Sequence, residues 1–148
     1  MPFVYVERSN LFLTRRVGLA GAEEMGEMLH RLRQKLVESH RPCFGVYDAG
    51  TDAQGRPDAR ARQVSATWFT DNEMLLEAQL KSVDFAFPNP LSRGVLTAVL
   101  WLKKPPFETH THATTEEAIR AMLKRAGSKE EAGKLLGELE AAERRIAG

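Results

Sequence analysis

The chain has 148 residues, 43% of them apolar and 28% charged, with a formal net charge of +1. That length suits one domain with a real core, and the near-neutral balance gives no global field to draw the protein to nucleic acid or an acidic membrane. The longest apolar run, residues 95–102, is far short of the ~20 residues of a membrane span, and the lone cysteine, Cys43, has no internal disulfide partner, which fits a reducing cytoplasm.

Residues 2–6 are β-rich, residues 11–19 are β-compatible, and Ser9-Asn10 between them is a turn signal. The pair reads as a hairpin. No apolar stretch of signal-peptide length precedes Glu7 and Arg8. From Gly21 the pattern turns helical. Glu23 and Glu24 fall in the first turn, where the helix dipole favours acids. Met25, Met28, Leu29, Leu32, Leu36 and Val37 recur mostly at threes and fours and form one apolar stripe. Such a methionine-rich stripe is more often core than a peptide-binding face. His30 and His40 fall on the surface, and Pro42 ends the helix.

Phe44, Val46 and Tyr47 then form a short apolar run that breaks at Asp48. An apolar run bounded by turn residues reads as a buried strand. Here it is the expected central strand, with Cys43 as a small buried hydrophobe rather than a nucleophile. Residues 48–58 stay irregular through Gly50, Gly55 and Pro57. Loops at the carboxyl ends of strands in open α/β sheets are where ligands and partners meet the protein. The expected contact surface is therefore Asp48, Thr51, Asp52, Arg56, Asp58 and Arg60.

Asp58 is a candidate cap for a second helix running to about Lys81, with Val64, Trp68, Leu75, Leu76 and Leu80 near one face. Thr67, Thr70, Asp71 and Asn72 weaken its middle, so a kink or break is expected there. Arg56, Arg60 and Arg62 give it a basic start, against the dipole. That points either to a nearby anion or to pairing with Asp48, Asp52 and Asp58. Residues 82–87 alternate, with Val83, Phe85 and Phe87 on one side, and read as a strand. Asn89-Pro90 opens a further helix through Leu102, closed by Pro105-Pro106. Residues 107–113 alternate again, with Phe107, Thr109, Thr111 and Ala113 on one face and Glu108, His110 and His112 on the other. Thr114 with Glu117 is a capping box, Ala118, Ile119, Met122 and Leu123 form the inner face, and Gly127 ends that helix. Ser128 with Glu131 is a second capping box, opening a last helix with Leu135, Leu136, Leu139, Ala142 and Ile146 on one stripe.

The sharpest metal candidate is Glu108, His110 and His112, whose side chains would project ~6.5 Å apart along one strand face. A firm site needs three or four ligands at known spacing, and only this one short cluster is present. Asp48 and Asp52 with Gly50 and Gly55 lack the alternating ligands and closing Glu of a calcium loop. No glycine pattern matches a dinucleotide or P-loop site, and no catalytic triad can be grouped from the sequence.

The element order is strand, strand, helix, strand, helix, strand, helix, strand, helix. With the stretches FGVYDAG, SVDFAFPNPLSRGVLTAVLWL and FETHTHATTEEAIRAML, it resembles the STAS fold of anti-sigma-factor antagonists and their SpoIIAA-like relatives over about residues 2–126. The resemblance implies a non-enzymatic, partner-binding domain without a cofactor, sometimes switched by phosphorylation just after the central strand. Here that region offers Thr51, with Ser65 further on, and no Asp-Ser pair. Some relatives bind lipids or other small apolar molecules.

The expected architecture is α/β: a STAS-like domain over residues 1–127, with a mixed four- to five-stranded sheet covered by helices mainly on one face, and an extra C-terminal helix over residues 128–148. The expected function is a cytoplasmic regulatory or scaffolding module acting on a protein partner. The last helix either packs on its own domain or pairs two subunits. The rival readings are a carrier of lipid or a small apolar molecule, with a cavity beside residues 91–102, and a metal-dependent enzyme using the strand histidines.

Overall fold

A computed structural model describes residues 2–18, 21–50, 59–87 and 105–147. The expected helix over residues 91–102 lies outside them. The elements are β1 (Phe3–Arg8), β2 (Leu11–Arg16), α1 (Ala22–Glu38), β3 (Cys43–Asp48), α2 (Ala59–Asp71), α3 (Glu73–Gln79), β4 (Leu80–Ala86), β5 (Glu108–His112), α4 (Thr115–Ala126) and α5 (Ala132–Ala147).

The strands lie side by side in chain order, β1-β2-β3-β4-β5. β1 and β2 form the antiparallel hairpin, with Arg8 opposite Leu11 and Ser9 in the left-handed region at the turn (φ 45°). Every later neighbour is parallel; α1 carries the chain back between β2 and β3, and α2 and α3 carry it back between β3 and β4. β3 is the middle strand, as the sequence leads one to expect. A register shift beside Cys43 and Phe44 leaves Lys81 of β4 without an opposite residue.

Both sheet faces are apolar, so both need cover. Val4, Val6, Leu11, Leu13, Val46 and Ala86 point to one face, where Ala118, Ile119, Met122 and Leu123 of α4 and Leu135 and Leu139 of α5 close the core. Phe3 and Tyr5 point to the other, against Met25, Met28 and Leu29 of α1 and Ala61 and Trp68 of α2. Leu36, Cys43, Leu76, Leu80 and Phe107 continue that layer. The expectation of cover mainly on one face is thereby refined: three described helices lie on one face and two on the other.

Local chemistry sets the boundaries. The long helix expected up to Lys81 breaks at Asn72, whose Nδ2 donates to the Trp68 carbonyl (2.9 Å). β4 takes over at Leu80, two residues earlier than the alternation suggests. The Thr114 hydroxyl accepts from the Glu117 N–H (3.2 Å), and Gly127 closes α4 in the left-handed conformation (φ 64°), as the capping pattern requires. The second capping box does not form as expected. The Ser128 hydroxyl accepts from the Glu130 N–H (3.2 Å), and α5 starts one turn later, with the Leu135 N–H on the Glu131 carbonyl (3.2 Å). Leu135 and Leu139 of α5 are fully buried in the core of this chain, so of the two uses expected for the last helix these residues serve packing on its own domain.

Candidate functional site

Two polar clusters interrupt the face under α4 and α5. The first lies at the carboxyl ends of β2 and β3. Arg15 and Asp48 are opposite residues in the parallel register, so both side chains leave the sheet on the same side. The Arg15 Nε donates to Asp48 Oδ2 (2.7 Å), and Nη1 reaches Glu143 Oε2 on α5 (3.0 Å). The Thr115 hydroxyl at the start of α4 donates to the same Asp48 oxygen (2.5 Å), and the Gly50 N–H donates to Oδ1 (2.8 Å). Burial by itself would lower the Arg15 pKa; Asp48 and Glu143 outweigh it and hold it above the usual value. Beneath the opposite face, burial pushes the Tyr47 hydroxyl up to about 12, with Arg16 opposing and Asp48 assisting.

Gly50 is required by geometry. Its φ is +76°, and a Cβ there would overlap the Arg16 carbonyl oxygen. The Arg16 Nε donates to the Ala49 carbonyl (3.1 Å), so the chain leaves β3 along a path fixed by β2.

The second cluster lies between β4, β5 and α4. Asp84 is fully buried. Its Oδ1 accepts from Arg125 of α4 and lies 2.8 Å from His112 Nε2. Asp84 Oδ2, Ser82 Oγ and His110 Nε2 are buried with no hydrogen-bond partner among the described residues. His110 is the register partner of Asp84, and Ser82 is the partner of Glu108.

The sequence-derived site separates in the fold. Asp48 is 2% exposed and its carboxylate is engaged by Arg15, Thr115 and Gly50, so it is corrected from a surface contact to an internal one. Thr51, Asp52, Arg56 and Asp58 lie outside the described residues. Arg60 is exposed at the start of α2 and lines a surface groove with Glu23, Glu24 and Val64. Ser65 sits one turn on, its hydroxyl donating to the Ala61 carbonyl (3.1 Å).

The metal reading is also corrected. Glu108, His110 and His112 do share a face, but they do not converge. Glu108 Oε1 is 3.8 Å from His110 Nε2 with its side chain 72% exposed, while His112 turns to Asp84. Among the described residues no three His, Cys, Asp or Glu side chains are placed to hold an ion. The cavity expected beside residues 91–102 involves positions outside the described residues. No helix among the described residues is long and apolar enough to cross a membrane.

Arg15, Asp84, Thr115, Arg125 and Glu143 were not singled out from the sequence. The signal for Asp84 was present: a carboxylate inside an alternating apolar strand, flanked by Val83 and Phe85, is either an error of register or a buried charge with partners. Its partners, 28 and 41 residues away, carry no local signature.

No protein-family model matches the chain, and comparison with curated proteins returned no match. Among solved structures, it is similar to an uncharacterized protein of the DUF3478 family with a SpoIIAA-like fold from Shewanella loihica PV-4. The identity is 14%, the TM-score 0.60, and the match covers 81% of this chain and 91% of the other. The fold is SpoIIAA-like, in agreement with the resemblance of the sequence.

Proposed function

We propose that the protein is a non-enzymatic regulatory or scaffolding module that docks a protein partner at the carboxyl edge of its sheet. The observation that carries this reading is the exposed groove between the starts of α1 and α2, with Glu23 and Glu24 on one wall and Arg60 on the other. It lies at the starts of the helices that follow β2 and β3, on the carboxyl edge where ligands and partners of open α/β sheets usually bind. Opposed charges across a groove favour orientation and selectivity over raw affinity. The SpoIIAA-like fold supports the same reading, since the resemblance implies partner binding. Asp48 ties Arg15, Thr115 and the Gly50 N–H together at the same edge, and groups already held by hydrogen bonds cost less to order on docking.

The test is affinity capture from the native host with the intact chain and with the charge reversal Glu24→Lys/Arg60→Glu, both checked for unchanged melting. The proposal expects at least one specific partner to be lost from the variant. An identical set of captured proteins would sink it.

A further inference from the structure

A second groove opens at the opposite, amino edge of the sheet, and we infer that it binds a small organic oxyanion, a phosphate or carboxylate carried on a flat apolar body. Its volume is about 490 Å³, within the range that holds small ligands. Pro42, Phe44 and Ala126 form its apolar surface, and Arg41, Lys81 and Arg125 bring three cations against the single carboxylate of Glu108.

Hydrogen bonds hold two of the cations, and the strand register places the third. Arg41 follows α1, and its Nη2 donates to the Ser9 hydroxyl and to Asn10 Oδ1 (3.2 Å). Asn10 is itself fixed: its Nδ2 donates to the Pro42 carbonyl (2.9 Å), and its own carbonyl accepts from the Phe44 N–H (2.9 Å). The β1–β2 turn thus clamps one guanidinium at the rim. Arg125, in the last turn of α4, is held by the fully buried Asp84. Lys81 is the residue left unmatched where the β3–β4 register shifts. Bulges are uncommon in parallel pairs and commonly re-aim a side chain toward a site; this one sets an exposed lysine at the groove.

Asp84 offsets much of the Arg125 charge, and Glu108 offsets one more, so the net excess is close to one positive charge. That favours a singly or doubly charged ligand over a polyanion. Guanidinium groups pre-oriented by hydrogen bonds suit bidentate contact with phosphate or carboxylate, and the Phe44 ring offers an apolar surface for the ligand body.

The test is a ¹H–¹⁵N titration of the full chain with phenyl phosphate, phenylacetate and inorganic phosphate. Expected are saturable shifts confined to Asn10, Arg41, Phe44, Lys81 and Ala126, with phenyl phosphate or phenylacetate binding at least fivefold more tightly than inorganic phosphate. Which organic probe binds better separates a phosphate from a carboxylate ligand. Arg41→Ala/Lys81→Ala, which leaves the Arg125–Asp84 pair intact, should weaken binding at least tenfold, whereas Arg120→Ala on the exposed face of α4 should not change it. Shifts scattered over the surface, equal binding of inorganic phosphate, or unchanged affinity in the double variant would each overturn the assignment.

Discussion

Replacing Asp48 by Ala tests whether the first polar cluster holds the carboxyl edge together. The substitution leaves Arg15, whose side chain is only 13% exposed, without its nearest counter-charge, and strips the acceptor from Thr115 Oγ1 and the Gly50 N–H. Breaking a buried ion pair from one side costs about 3–5 kcal/mol. Glu143 stays within 3.0 Å of Arg15, but it is 44% exposed and screened by water, so it recovers only part of that. The expected loss is about 3 kcal/mol, against a total stability of about 5–15 kcal/mol for a domain. With a urea slope of about 2 kcal/mol per molar, the midpoint should fall by roughly 1.5 M at unchanged slope. Adding Arg15→Met to Asp48→Ala should cost little more, since the stranded charge leaves with it; the two changes are in contact and should not be additive. A midpoint shift below about 0.3 M for Asp48→Ala would refute the argument.

Three other substitutions probe the same packing. Leu139→Ala empties a fully buried site between α5 and the sheet and should cost about 2–5 kcal/mol in urea unfolding; a loss under about 1 kcal/mol would mean that α5 is not part of the core. Gly50→Ala forces a side chain into a left-handed position against the Arg16 carbonyl and should destabilise by more than about 1 kcal/mol, whereas a neutral result in thermal melting would contradict the described path out of β3. Burial raises the folded pKa of the Tyr47 hydroxyl from its ordinary value of about 10 to about 12. Its contribution to stability is therefore complete below pH 10 and is lost as pH rises through that window, by at most about 1.4 kcal/mol per pH unit. Tyr47→Phe should flatten that part of the stability–pH curve, and an unchanged alkaline slope would count against burial as the cause.

The elements that were legible in the sequence are those whose signal is local. The Ser9-Asn10 turn, the stripe of α1, the break near Asn72 and the Thr114–Glu117 cap each depend on residues within one or two turns, and each appears in the fold, except that Val37, expected on the α1 stripe, is 55% exposed in the last turn of that helix. The two-sided cover was harder to read. β1 alternates Phe3 and Tyr5 with Val4 and Val6, which is apolar on both sides and signals double cover, but four residues cannot say which helix goes to which face. The sequence does not show that β4 starts at Leu80, because Leu80 and Val83 fit a single alternation only if Lys81 is left unmatched, and that register shift is visible only in the paired strand.

The candidate site was legible in place and not in role, and Asp48 shows why. A carboxylate ending a central strand is an equally good sign of a docking contact and of an internal anchor, because both uses favour the carboxyl edge. The choice depends on whether a cation and donors stand opposite it. Those come from Arg15, 33 residues before, and Thr115 and Glu143, 67 and 95 residues after. Only the parallel register of β2 on β3 brings Arg15 alongside, and only the return of α4 and α5 over that face lays a hydroxyl and a second carboxylate on top. Once a full set of donors is in place, Asp48 cannot turn outward without stranding Arg15 in a largely dry site. The docking proposed above therefore relies on side chains outside that network, and among the described residues Arg60 lines a groove with Glu23 and Glu24 at that edge.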